Sequence, residues 1–394
     1  MQARKIKENI YWVGAVDWDR RLFDALIPLP DGTSYNAYLV RGSEKIALID
    51  TVDPTMTGVL LSRLDSLGLE RLDYVIAHHA EQDHSGTLPL ILARYPQVQI
   101  VTSTKGKGML LDLLPLPESR FIAVEDGATL SLGDKTFKFI YAPWVHWPET
   151  MATYLPEDKI LFSCDWFGSH LATSDLYVTD EGRAYEAAKR YYAEIMMPFR
   201  KIIEKNMEKI KDYEIALIAP SHGPMYSRPA FILDAYRGWV FDEPKNIVVL
   251  PYITMHDSTR QMVNHLVDAL IARGVKVERF NLEDVDIGKL AMALVDAATL
   301  VVGSPTVLTG AHPKAVYAAY LANALRPKLK YVSLIGSYGW GSKMVEQLTG
   351  MLTNLKVEVL EPVIAQGLPR EKDFAALDRL AETIASRHRG LSLK

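Results

Sequence analysis

Nine residues, HHAEQDHSG from His78 to Gly86, hold three histidines and two carboxylates directly after the apolar run YVIA. Groups this costly to desolvate crowd a strand end when there is a charge to bind. The order His79-x-Glu81-x-Asp83-His84 lets alternate residues leaving a strand converge on one point, while the adjacent pair Asp83–His84 faces a second. Three later segments add donors beside strands or turns: His146 in APWVHWPET, Asp165 in LFSCDWFGS and His222 in APSHGP. One isolated histidine is more often buried without a metal. Seven donors in this order can supply two similar N/O sites, with Asp165 bridging. Imidazole-rich sites suit zinc, and an added carboxylate hardens the site so that ferrous and ferric iron are both stabilised.

The polar neighbours of these seven divide differently. His78 precedes the cluster and is expected to face away from the metals. His170, in FGSHLATS, is either a donor behind the ligands or a loop histidine. Tyr191 and Tyr192 fall on a helical pattern where core packing is the default and proton donation the alternative. His170 and Tyr192 are carried as the candidate catalytic residues. Cys164, beside Asp165, reads as small packing volume.

A second constellation begins after the strand-like IVVLPY. In ITMHDSTRQM the hydroxyls of Thr254, Ser258 and Thr259 and the N–H groups at a helix start form an anion cradle for a phosphate, with Met255, His256 and Asp257 completing the turn. It is neither a Walker loop nor a G-x-G-x-x-G turn, and DST before a helix is also an ordinary N-cap. Asp257 is expected to point to solvent, and Arg260 either reaches the phosphate or stays solvated. Two more segments, GSPTVLTGAHP with Ser304, Pro305, Thr306, Val307, Leu308 and Thr309, and GSYGWGS with Ser337, Tyr338, Gly339 and Trp340, follow the next strands. Ligands bind outside the carboxyl ends of parallel strands where strand order reverses. Small residues there open backbone groups to a planar ring, and Tyr338 or Trp340 can stack on it.

The elements that must hold these clusters change in texture along the chain. Up to about Tyr141 the apolar runs are short and β-rich (IYWVGAV, YNAYLV, KIALID, YVIA, VQIVTS, FKFIYA), with helix-like stretches around Met56–Leu67 and Thr87–Tyr95. This mixture predicts two sheets with helices outside. Asp180 to Lys211 carries helical spacing with a break at Pro198, and YRGWVFDEPKN reads as a linker. Beyond it, NIVVLPY, VKVERF, TLVVGSP, KYVSLIG and EVLEPVIA alternate with helical patterns, which implies a parallel doubly wound sheet. The boundary is placed at 243/244.

With 394 residues, 48% hydrophobic, the chain can bury a core of two or three domains, and its net charge of −4 gives no reason to expect nucleic-acid or anionic-membrane binding. Its single cysteine excludes an internal disulfide framework and a Cys-ligated iron centre. The start lacks the apolar stretch of a signal peptide and no apolar run approaches membrane-helix length, so a cytoplasmic protein is expected.

The first cluster resembles that of the metallo-β-lactamase superfamily, whose hydrolases mostly carry H-x-H-x-D-H and zinc; here Glu81 stands in the second histidine's place. The hydroxyl-rich loop resembles the phosphate loop of flavodoxins. The two motif sets in this order are similar to those of the flavodiiron proteins (A-type flavoproteins), over essentially the whole chain. The resemblance implies a metallo-β-lactamase-like αββα sandwich over 1–243 and a flavodoxin-like doubly wound sheet over 244–394. It implies one iron held by His79, Glu81, His146 and Asp165, and another by Asp83, His84, Asp165 and His222. It also implies bound FMN and reduction of dioxygen to water or of nitric oxide to nitrous oxide. Without a Cys-rich C-terminal extension, electrons are expected from a separate donor, rubredoxin or a reduced deazaflavin. A head-to-tail homodimer, or a dimer of such dimers, would bring one flavin beside the partner's iron. Two rivals remain at this point: a di-zinc hydrolase fused to a flavin domain, and a flavin electron carrier with a purely structural metal.

Overall fold

The computed structural model describes residues 1–391. The chain divides into two compact units, Met1–Tyr192 with Phe199–Val240, and Ala193–Pro198 with Phe241–Lys394.

The first unit is built on two sheets. In the larger, strands run in the order Arg4–Lys7, Ile10–Trp12, Tyr38–Arg41, Ile46–Ile49, Tyr74–Ile76, Gln99–Ser103 and Phe121–Val124, the last four mutually parallel. In the smaller, Thr129–Ser131, Thr136–Tyr141, Met151–Leu155 and Ile160–Cys164 are antiparallel in turn, and Leu217–Pro220 lies parallel to Ile160–Cys164. Period-two alternation sorts the side chains. Tyr38 and Val40 join Phe137, Phe139 and Phe162 in the core between the sheets, while Leu39 and Leu48 face outward against Leu60, Leu64, Leu88 and Ile91 of the covering helices. Each such buried side chain contributes about 1.5–3 kcal/mol.

Local chemistry sets the places where sequence patterning and structure part. IYWVGAV is two strands rather than one, and at the break Gly14 lies so close to the Tyr35 carbonyl oxygen that a Cβ would stand 2.3 Å from it. The chain there leaves the large sheet, and Ala15–Asp17 pairs with Thr33–Tyr35 instead. The helix Glu181–Tyr191 ends in a π-helical turn, Tyr192–Met196, before Pro198 is reached. Most of the expected linker is helix, Pro229–Phe241, since Ile232, Tyr236, Trp239 and Val240 recur at helical spacing and are buried.

The second unit is a parallel sheet in the order Lys276–Asn281, Lys245–Tyr252, Ala297–Val307, Tyr331–Tyr338, with Glu358–Val359 and Val363–Gln366 both pairing the last. By sequence the strands run 2-1-3-4-5, the flavodoxin-type order, whose reversal lies between strands 1 and 3. EVLEPVIA is thus split at Pro362, which has no N–H for the ladder. The helices Ser258–Ile271 and Glu371–Gly390 pack on one face through Met262, Leu266, Leu377 and Ile384. No described helix is long and apolar enough to cross a membrane.

Candidate functional site

The seven donors lie at the ends of strands from both sheets of the first unit. His79 and Glu81 leave Tyr74–Ile76, and Asp83 and His84 sit in the short helix Gln82–Ser85. His146 comes from the connection into Met151–Leu155. Asp165 and His222 follow the parallel neighbours Ile160–Cys164 and Leu217–Pro220. At Cys164 the backbone turns left-handed (φ 54°), ending the strand one residue before Asp165.

These side chains form two adjoining groups. Ligand-capable atoms of His79, Glu81, His146 and Asp165 all lie within 4.8 Å of one another, and so do those of Asp83, His84 and His222. Asp165 faces both. Its Oδ2 is 3.5 Å from His79 Nε2 and 3.4 Å from His146 Nε2, while its Oδ1 is 3.1 Å from His84 Nε2 and 3.3 Å from His222 Nε2. Glu81 Oε2 stands 3.0 Å from His79 Nε2 and 3.1 Å from His146 Nε2, and Asp83 Oδ2 3.2 Å from His222 Nε2.

The far nitrogens of two imidazoles are anchored, which aims the near ones inward. His79 Nδ1 pairs with Glu149 Oε1 at 2.7 Å, and the same oxygen accepts from Ala80 N. His222 Nδ1 donates to the Ser34 carbonyl at 2.7 Å. Glu149 escaped the sequence reading although it lies three residues after His146; a carboxylate behind a ligand has no spacing signature of its own.

Electrostatics follow from this crowding. Burial would depress the His222 imidazole, but the Asp165 and Asp83 carboxylates beside it outweigh that and push it up to about 10. His146 rises to about 9 by the same opposition, through Asp165 and Glu81. Without an ion, then, protons occupy the inward nitrogens, in competition with any metal for the same lone pairs. The site also fits an ion by its deficits. Both oxygens of Asp83 and of Asp165, and His84 Nε2, are buried without a hydrogen-bond partner among the described residues. Buried polar atoms in native proteins are otherwise nearly always paired.

The neighbours sort as follows. His78 is turned away, with Nδ1 on Asp50 at 2.8 Å and Nε2 on Thr153 Oγ1 at 2.7 Å. His170 packs its ring on His222 at 5.0 Å and is held well below its usual range, first by burial and then by the His222 charge. Of the two tyrosines, Tyr191 meets His170 and His222, at 4.9 and 5.9 Å between ring centroids. Tyr192 packs instead on Tyr236 and Trp239, its hydroxyl 3.4 Å from the Trp239 carbonyl. Adjacent helical residues point about 100° apart, and helical periodicity alone does not say which of the two turns inward.

In the second unit the three expected segments lie beyond the carboxyl ends of three neighbouring strands. The segment Thr254–Thr259 leads from Lys245–Tyr252 into the helix Ser258–Ile271. The hydroxyls of Thr254 and Thr259 are buried and without a partner among the described residues, a deficit that a phosphate would fill. Met255, His256, Asp257 and Ser258 form the turn between them, and Asp257 pairs with Arg260 at 2.5 Å, which keeps both off the cradle. The second segment is not a loop throughout. The strand continues through Ser304, Pro305, Thr306 and Val307, and only Leu308 and Thr309 turn, both at positive φ, into the pairing Val307↔Gly310. Thr306 Oγ1 and Ser342 Oγ at 2.8 Å tie this hairpin to the third segment, in which Ser337 and Tyr338 end the strand and Gly339 and Trp340 project beyond it.

Comparisons with known proteins agree with both units. Residues 33–223 match the family described as ODP family beta lactamase. The nitric oxide reductase of Moorella thermoacetica is 36% identical over 98% of this chain and 99% of its own. The rubredoxin-oxygen oxidoreductase of Megalodesulfovibrio gigas is 31% identical over 98% of each. Among solved structures, the rubredoxin oxygen:oxidoreductase from Desulfovibrio gigas covers 99% of both chains at a TM-score of 0.95 and 30% identity, and the flavodiiron protein of Giardia intestinalis 99% of this chain at 0.92. With such identity across the full chain and both site-bearing units in place, the protein belongs to the flavodiiron (type A flavoprotein) family of oxidoreductases.

Proposed function

We propose that this protein reduces dioxygen to water or nitric oxide to nitrous oxide at two iron ions, with electrons passed through FMN from a rubredoxin-like or reduced deazaflavin donor. The observation that carries the reading is Asp165, whose two carboxylate oxygens each face a separate pair of imidazoles. His79, Glu81, His146 and Asp165 would hold one iron, and Asp83, His84, Asp165 and His222 the other. FMN would take up electrons and release them singly, and the iron pair would bind and reduce the gas.

The chain's own part is positioning. Glu149 and the Ser34 carbonyl fix two imidazoles, and Asp165 supplies one negative charge to both halves. Trp147 packs edge-on over His79 at 4.8 Å and Phe23 on His170 at 5.3 Å, which narrows access by water. In the flavin unit Thr254, Ser258 and Thr259 would take the phosphate, with Ser304–Thr309 and Ser337–Trp340 along the ring. The near-complete exposure of Leu308 (87%) and Trp340 (83%) at these segments supports a surface covered in a head-to-tail homodimer or a dimer of dimers. His170, neutral and beside His222, is the better placed of the two candidate catalytic residues.

Metal and flavin analysis of purified protein, followed by anaerobic turnover with each gas and a reduced donor, tests the proposal. About two irons and one FMN per chain, with gas consumed, are expected. Zinc in protein expressed with ample iron, or no yellow chromophore, would refute it and restore the hydrolase alternative.

A further inference from the structure

The half of the centre built by Asp83, His84 and His222 has a neighbour with no task assigned so far. Tyr35 ends the strand Thr33–Tyr35, is 1% exposed, and meets the His222 ring edge-on at 6.0 Å between centroids. Its hydroxyl is buried and has no hydrogen-bond partner among the described residues. Leaving such a group unpaired costs about 1–3 kcal/mol, so a native site that keeps it has a use for the donor. The charged groups acting on the phenol are Asp53, Arg20, Asp83 and Asp17. One of them, Asp83, belongs to the centre itself.

A second unpaired atom flanks the same half. Thr33, two residues before Tyr35 and so on the same strand face, holds His170 Nδ1 through its Oγ1 at 2.8 Å. That leaves His170 Nε2 buried and without a partner, on a ring packed 5.0 Å from His222. On the opposite half His79 is backed by Glu149, whose other oxygen is also unpaired among the described residues, and covered by Trp147, while Glu81 and His146 stay partly exposed. The unpaired Tyr35 hydroxyl and His170 Nε2 thus both stand beside His222.

We propose that the Tyr35 hydroxyl donates a hydrogen bond to a small anionic or oxygen ligand held on the Asp83–His84–His222 half. The proposal rests on the two-iron function argued above. Azide is the probe, titrated into the ferric, iron-loaded full chain and followed by its charge-transfer absorption. Y35F keeps the ring and its packing and removes only the donor. It is expected to retain iron and unfolding temperature while binding azide about tenfold more weakly, or worse. Y236F removes a hydroxyl from a ring packed on Phe167, Tyr192 and Trp239 and should leave azide affinity unchanged. Equal azide affinity in Y35F and the unmodified protein, both with two irons, would overturn the proposal alone. So would equal weakening in Y236F, or a Y35F protein that no longer holds iron, which would mark a structural role. Unmodified protein that binds no iron would overturn the metal function and this proposal together.

Discussion

Replacing Asp165 by Asn isolates the charge that joins the two halves of the centre. Asp165 is wholly buried, with one oxygen toward His79 and His146 and the other toward His84 and His222, all at 3.1–3.5 Å. The amide keeps the shape but not the charge, and only one of its two ends can accept. Removing one partner of a buried charge pair costs about 3–5 kcal/mol. At about 1.4 kcal/mol per decade, the low end of that range is roughly a 100-fold loss of affinity. Because the charge is shared, the loss falls on both metal sites. The His84 Nε2, by contrast, stands near Asp83 and one oxygen of Asp165, so His84→Ala removes a donor from one half. The assay is iron retained per chain after dialysis against graded chelator. The expected order is unmodified protein, then H84A with one site depleted, then D165N with both depleted at the same chelator concentration. Gas reduction should fall in the same order. Equal retention by D165N and H84A would refute the bridging role of Asp165.

Three further outcomes are expected. Glu149→Gln replaces the acceptor behind His79 Nδ1 and should weaken metal binding about 10–100-fold without unfolding the sandwich, measured by chelator competition; unchanged affinity would show that Glu149 does not orient His79. Gly336→Ala would place a Cβ 1.9 Å from the Ser304 carbonyl oxygen, forcing two core strands apart at the flavin segments. A loss of about 1–3 kcal/mol or more and weaker FMN retention are expected by calorimetry and flavin release. His388 is buried between Thr299 Oγ1 and Asn246 Oδ1, and burial lowers its pKa to about 4. Below the unfolded value near 6.5 the unfolded chain binds the extra proton, so stability falls as pH drops from about 6.5 toward 4, by at most about 1.4 kcal/mol per pH unit. His388→Asn should flatten that slope in denaturant titrations of the flavin unit, and an unaltered slope would sink the assignment.

The sequence was legible where types and spacing carry the chemistry. The seven candidate donors stand out because such costly groups are placed at strand ends, and the structure brings them into two adjoining clusters. The alternation of the C-terminal strands likewise foretells the parallel sheet. What escaped detection depends on contacts between residues far apart in sequence. Glu149 reaches back 70 positions to His79, and Tyr35 lies 187 positions from His222. Tyr191 and Tyr192 are interchangeable in a helical pattern, and only the fold decides which ring meets His222. YRGWVFDEPKN reads as a linker from its charged and Pro-containing end, yet Tyr236, Trp239 and Val240 are buried and carry the helix to Phe241.

The centre draws on both sheets, and this decides what kind of site it can be. His79, Glu81, Asp83 and His84 hang from the end of one strand of the larger sheet, while Asp165 and His222 end adjacent parallel strands of the smaller. The core of Trp12, Tyr38, Phe137, Phe139 and Phe162 holds the sheets face to face and so sets the spacing between the donors that each sheet supplies. Three carboxylates crowded against four imidazoles in a largely buried site are costly unless a charge compensates them. Without an ion the compensation comes from protons on the imidazoles, because the carboxylates, against the opposing effect of burial, lift His146 to about 9 and His222 to about 10. A hydrolytic zinc pair would be served by a histidine in place of Glu81. The carboxylate there adds negative charge to a site already rich in it, which makes sense when the bound metal must pass between two and three positive charges.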